Sequence, residues 1–128
     1  MTTTVETKLH ELFETMQEYT KMTDELSFKE FSSYYQQVME FLQKDYQELD
    51  EEGLLKIKGI CSIMFANAQA RSMNKDINRK KFIKMAEKAN FWQNAIQMKL
   101  KKDGLSESEI SAREEAFFAE DEEAADKK

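Results

Sequence analysis

Large apolar side chains recur at alternating intervals of three and four: Val5, Leu9, Leu12, Met16 and Tyr19, then Phe28, Phe31, Tyr35, Val38 and Leu42, then Phe82, Met85, Ala89, Trp92 and Ile96. That is the period of helices turning one face toward a shared seam. The stretch between the second and third rows behaves differently. Leu54, Leu55, Ile57, Ile60, Cys61, Ile63, Met64, Phe65, Ala66, Ala68 and Ala70 leave only narrow polar strips, which predicts a helix placed inside the others.

Start and stop signals divide these rows. Leu26-Ser27-Phe28-Lys29-Glu30-Phe31 offers Ser27 as N-cap, Glu30 to reach back to the cap amide, and a Leu26–Phe31 staple. Leu49-Asp50 with Leu54 repeats the cap and staple, but Gly53 stands where the reciprocal carboxylate would be. Leu105-Ser106-Glu107-Ser108-Glu109-Ile110 has every part. It follows Lys101-Lys102-Asp103-Gly104, where lysines suit a helix carboxyl end and glycine suits a left-handed stop.

These signals predict helices over 4–21, 28–47, 51–73 and 77–102, with a shorter one from 107 to about 120. Asn74-Lys75-Asp76 reads as a tight turn with Asp76 as cap, or as a kink in one long rod joining the third and fourth helices. Short connections make sequential helices antiparallel neighbours. The expected fold is all-α: an up-and-down bundle of four long helices over residues 1–104, with an acidic C-terminal helix and tail over 105–128. A solenoid of helix pairs is second choice, because no segment repeats at a fixed period and the helices exceed the usual repeat length.

Composition agrees with this reading. The chain has no proline and three glycines in 128 residues, and is rich in Glu, Lys, Gln, Met and Ala. One cysteine makes no internal disulfide, and the start MTTTVETKL lacks the apolar stretch of a signal peptide, so a cytoplasmic location is expected. No apolar run approaches the roughly 18 residues of a membrane span.

Candidate chemistry is sparse. Cys61, far in sequence from the single His10, reads as a small buried hydrophobe rather than a reactive thiol. One histidine and one cysteine exclude the usual zinc sets, and no Glu-x-x-His supports a di-iron bundle. Glu6 and His10, one turn apart, read as a solvated pair rather than part of a metal shell. Asn67 and Gln69 are either exposed amides or the lining of a pocket near Trp92 for a small apolar ligand. Neither a catalytic residue nor a cofactor is expected.

The charge distribution adds more. The net charge of −6 hides a basic segment, 71–102, with ten basic and two acidic side chains, between flanks that each carry −7. On the fourth helix Lys80, Lys81, Lys84, Lys88, Lys99 and Lys102 fall in an arc of roughly 100° away from the seam. Phe91, Ala95 and Met98 occupy its centre. The fifth helix could fold back over this arc, placing Ile110, Phe117 and Phe118 on Phe91 and Met98 while its glutamates meet the lysines. Otherwise the arc receives another molecule.

The sequence therefore predicts a non-catalytic helical protein–protein interaction module, a small adaptor or regulator binding another protein or a second copy. The partner-binding residues would be Lys80, Lys81, Lys84, Lys88, Phe91, Ala95, Met98 and Lys102, with Phe117 and Phe118. The alternative is a nucleic-acid-binding regulator that uses the same lysines and is masked by the acidic tail.

Overall fold

A computed structural model describes residues 4–22, 26–75 and 77–126, with side chains as far as Phe117. The fold is all-α: α1 (Val5–Lys21), α2 (Phe28–Asp45), α3 (Glu51–Ser72), α4 (Arg79–Lys102) and α5 (Glu107–Asp126), with a 3-10 turn, Tyr46–Glu48, after α2. No strand occurs among the described residues.

The caps act as their chemistry requires. Ser27 Oγ accepts from the Glu30 amide at 3.1 Å, while its own hydroxyl donates to the Glu30 carboxylate rather than leaving that group to the cap amide. Around Ser106 the exchange is fully reciprocal: the Glu109 amide donates to Ser106 Oγ and the Ser106 amide to Glu109 Oε1, both at 3.1 Å. The Ser106 amide, and after it the Ser106 side chain, hold the Glu109 carboxyl below its ordinary range. Asp50 Oδ1 accepts from the Gly53 amide at 2.8 Å. The glycine there has a packing reason, since a Cβ would stand 3.1 Å from Leu49 Cδ2 and 3.3 Å from Leu9 Cδ2 of α1.

α4 ends in a Schellman motif. Gly104 takes φ +111°, the Leu105 amide donates to Leu100 O, and the Gly104 amide donates to Lys101 O, both at 3.1 Å. This stop turns the chain so that α5 leaves in a new direction.

α4 begins later than its sequence suggests, at Arg79 behind Asn78, with Ile77 99% exposed ahead of it. The expected cap, Asp76, lies outside the described residues. α3 and α4 are separate helices rather than one rod. They run antiparallel: the Arg71 guanidinium at the end of α3 lies 4.4 Å from the Phe82 ring centroid near the start of α4, and Ser62 donates to Gln93 Oε1 at 2.6 Å. α1 and α2 are likewise antiparallel, with Lys8 3.6 Å from Asp45 at one end and the Tyr19 ring edge-on to Tyr34 at the other. α5 continues to Asp126, beyond the expected 120.

Leu9, Leu12, Met16, Phe31, Val38, Leu42, Phe82, Met85, Ala89 and Ile96 of the predicted seams are all buried. Tyr34, rather than its neighbour Tyr35, enters the core, and its hydroxyl donates to Leu12 O at 2.6 Å. Burial raises its pKa well above the usual phenol value. The first two-thirds of α3 is buried as expected, but Ala66, Asn67, Gln69 and Ala70 reach solvent.

Candidate interaction face

α4 packs on the rest of the molecule through Phe82, Met85, Ala86, Ala89, Ile96 and Leu100. The opposite side of the same helix carries the predicted residues. Lys80, Lys84, Lys88, Phe91, Ala95, Met98 and Lys102 follow one another at intervals of four, four, three, four, three and four, and therefore form one stripe along the rod. Phe91 is 64% exposed and Met98 72%, which is far from the burial usual for such side chains. Ala95, half-buried, lies between them.

The four lysines of the stripe are exposed, and none has a carboxylate within ion-pair distance among the described residues. The remaining lysines of the predicted arc differ. Lys81 Nζ sits 5.3 Å from the Phe28 ring centroid, and Lys99 pairs with Asp103 at 3.6 Å. Lys81 thus belongs to the α2–α4 edge rather than to the stripe.

α5 does not cover this face with any described side chain. Ile110 is fully buried in the common core, and Phe117 meets Phe13 of α1 edge-on, with ring centroids 6.1 Å apart. Glu114 bonds Lys58 of α3 at 2.7 Å, and Arg113 bonds Glu51 at 2.7 Å. Lys56 Nζ lies 5.4 Å from both the Phe13 and Phe117 centroids. The fold-back of Ile110 and Phe117 onto Phe91 and Met98 is therefore replaced by docking on α3 and α1, which takes Phe117 away from the α4 stripe. The Phe118 side chain lies outside the described residues.

One feature beside the stripe escaped the sequence pattern. Trp92, assigned to the seam, is half-buried at its edge, its ring 5.7 Å from Phe91 and 5.4 Å from Tyr46. Leu42, Lys44, Tyr46, Glu48 and Trp92, with two glutamines, border a groove of about 460 Å³ between the end of α2 and α4. Trp92 lies on the helix between the seam and the arc, and that intermediate angle was the available signal.

The other candidates separate in space. Asn67 and Trp92 do not share a pocket: Asn67 is at the rim of a cleft of about 350 Å³ lined by Met16, Tyr19, Phe31 and Met64, on the α1 side of α3. His10 Nε2 meets the Glu14 carboxylate one turn on, and both are exposed. Cys61 is fully buried, and burial pushes its thiol up to about 12, so it is protonated and inert at neutral pH. Among the described residues no three His, Cys, Asp or Glu side chains converge as metal ligands, and no helix is long and apolar enough to cross a membrane. No known protein family, curated protein or solved structure matches the chain.

Proposed function

We propose that the chain is a non-catalytic helical interaction module, an adaptor or regulator in the cytoplasm that binds a protein partner through the outer face of α4. The observation that carries this reading is Phe91 and Met98 standing exposed on one helix, with Lys84, Lys88 and Lys102 on either side lacking a carboxylate partner among the described residues. A helix face with an apolar centre and a charged rim has the anatomy of a recognition surface. The test is affinity capture with the wild-type chain and with Phe91→Asp, quantified protein by protein. The reading expects specific proteins to disappear from the variant's set; identical sets would refute it.

The four lysines of the stripe, without carboxylate partners among the described residues, also favour a second reading, binding of nucleic acid by the same face. Affinity would then fall steeply with salt, by orders of magnitude over a few-fold change in concentration. Masking by the acidic end is tested by truncating after Phe118, since a cut before Ile110 would also open the core.

A further inference from the structure

The α4 stripe has a counterpart within the same molecule. Where α5 lies on α3 and α1, a largely acidic helix is already held by this chain. Its anchors are Ile110 and Phe117, seven residues apart, and between them Glu114 reaches Lys58 at 2.7 Å. The receiving surface supplies lysines beside aromatic and aliphatic side chains: Lys56 over Phe13 and Phe117, and Lys58 between the helices. The outer face of α4 has the same ingredients as that receiving surface, lysines beside large apolar side chains. Phe91 and Met98 are also seven apart, and Lys84, Lys88 and Lys102 flank them without carboxylate partners among the described residues.

Building on the reading of this face as a protein-binding surface, we infer that its partner is an acidic amphipathic helix from another protein, lying along α4 with its apolar side over Phe91, Ala95 and Met98 and its carboxylates on Lys84, Lys88 and Lys102. At 1.5 Å of rise per residue the apolar centre from Phe91 to Met98 is about 10 Å long, and Lys88 and Lys102 are about 21 Å apart. A partner of about four turns spans both lysines, with apolar residues on its inner turns and Asp or Glu near both ends. The half-buried Ala95 lets the two backbones approach.

Charge decides against the other occupants. A second copy pairing its own α4 antiparallel about Ala95 would set Lys88 of each chain against Lys102 of the other, and a parallel pairing would set every lysine against itself. Both arrangements join like charges, with Glu87 the one acid that α4 brings to either. A nucleic-acid duplex carries phosphate charge continuously, about one per 1.7 Å of axis, whereas the stripe has no cation over the stretch between Lys88 and Lys102. The apolar centre would there lie against a charged backbone.

The chain's single tryptophan, Trp92, touches Phe91 and reports occupancy of the face directly. The probe is a short amidated peptide of glutamates with leucines at heptad a and d positions, titrated into the full chain while Trp92 emission and the Met98 methyl resonance are followed. The controls are a scrambled peptide of the same composition and a short DNA duplex. The expected result is saturable binding that shifts Met98, is lost in Phe91→Asp and in the milder Phe91→Ala, and weakens about tenfold or more in Lys84→Glu/Lys88→Glu. A partner peptide with lysine in place of the facing glutamates should recover that loss.

The inference fails if the scrambled peptide binds equally well, if the duplex shifts Met98 and displaces the peptide, or if the chain alone forms dimers that Phe91→Asp dissolves. It also fails if the patterned peptide leaves Met98 unmoved while Phe91→Asp still strips proteins from the captured set. That last pair of results would leave the interaction face standing and remove only the acidic-helix partner.

Discussion

Two faces of this molecule combine lysines with large apolar side chains, and they have met different fates. On α3 and α1 the combination is closed: Ile110 is fully buried, Phe117 is edge-on to Phe13, and Lys58 and Glu51 each hold a charged partner from α5 at 2.7 Å. On α4 it is open, with Phe91 and Met98 in solvent and Lys84, Lys88 and Lys102 without a carboxylate partner among the described residues, although Lys99 and Lys101 beside them pair with Asp103 and Glu107. The difference arises at Gly104. Its left-handed turn, with Leu105 bonded back to Leu100, directs α5 across α3 instead of back along α4. Lysine beside aromatic is thus a contact chemistry that the chain already uses internally, and a covered face can be told from a free one only in three dimensions.

The comparison can be broken first by stability. Ile110→Ala removes a buried anchor and should cost about 2–4 kcal/mol by urea denaturation, whereas Met98→Ala should stay within about 0.5 kcal/mol of wild type. Equal losses at the two sites would mean that the α4 face is also part of the folded core. Next in size is the Lys58–Glu114 pair, whose side chains are 13% and 17% exposed. Glu114→Gln leaves the lysine without its countercharge in a largely desolvated place, and about 1–2 kcal/mol should be lost. Lys84→Gln and Lys88→Gln, by contrast, should each change stability by less than about 0.5 kcal/mol.

A smaller effect sharpens the interior side of the contrast. The Cys61 thiol rises from 9.0 to about 12 because burial disfavours the thiolate. The folded chain therefore holds that proton more tightly than the unfolded chain does. This contribution is complete below about pH 9, the unfolded value, and is lost as the pH rises toward 12. Stability measured across that range should decline, and the decline should be shallower in Cys61→Ala. At neutral pH the thiol should react with an alkylating reagent only as fast as the protein opens.

Much of this architecture is legible in one dimension because local chemistry decides it. Ser27, Asp50 and Ser106 cap the helices that their spacing announces, and Gly104 ends α4 where lysines precede it. The intervals of three and four likewise separate the buried row Phe82, Met85, Ala89 and Ile96 from the exposed Phe91 and Met98. What the pattern could not supply is which distant surface a segment chooses. Ile110, Glu114 and Phe117 share a face of α5, and by charge and size that face suits Lys84 and Phe91 as well as it suits Lys58 and Phe13. The choice follows from the exit direction at Gly104 and the long-range geometry of α1 against α3. Tyr34 and Tyr35 show the same limit on a small scale: adjacent tyrosines bracket the seam, and the carbonyl of Leu12, on another helix, selects the first.

The open state of the α4 face is tested most directly by peroxide footprinting of the isolated chain, because its methionines are distributed between the two environments. Met98 is 72% exposed, while Met64 is 1% exposed. Oxidation follows access, so Met98 should convert to the sulfoxide roughly tenfold or more faster than Met64. Equal, slow rates at the two positions would mean that the stripe is covered in the free protein and would contradict the account.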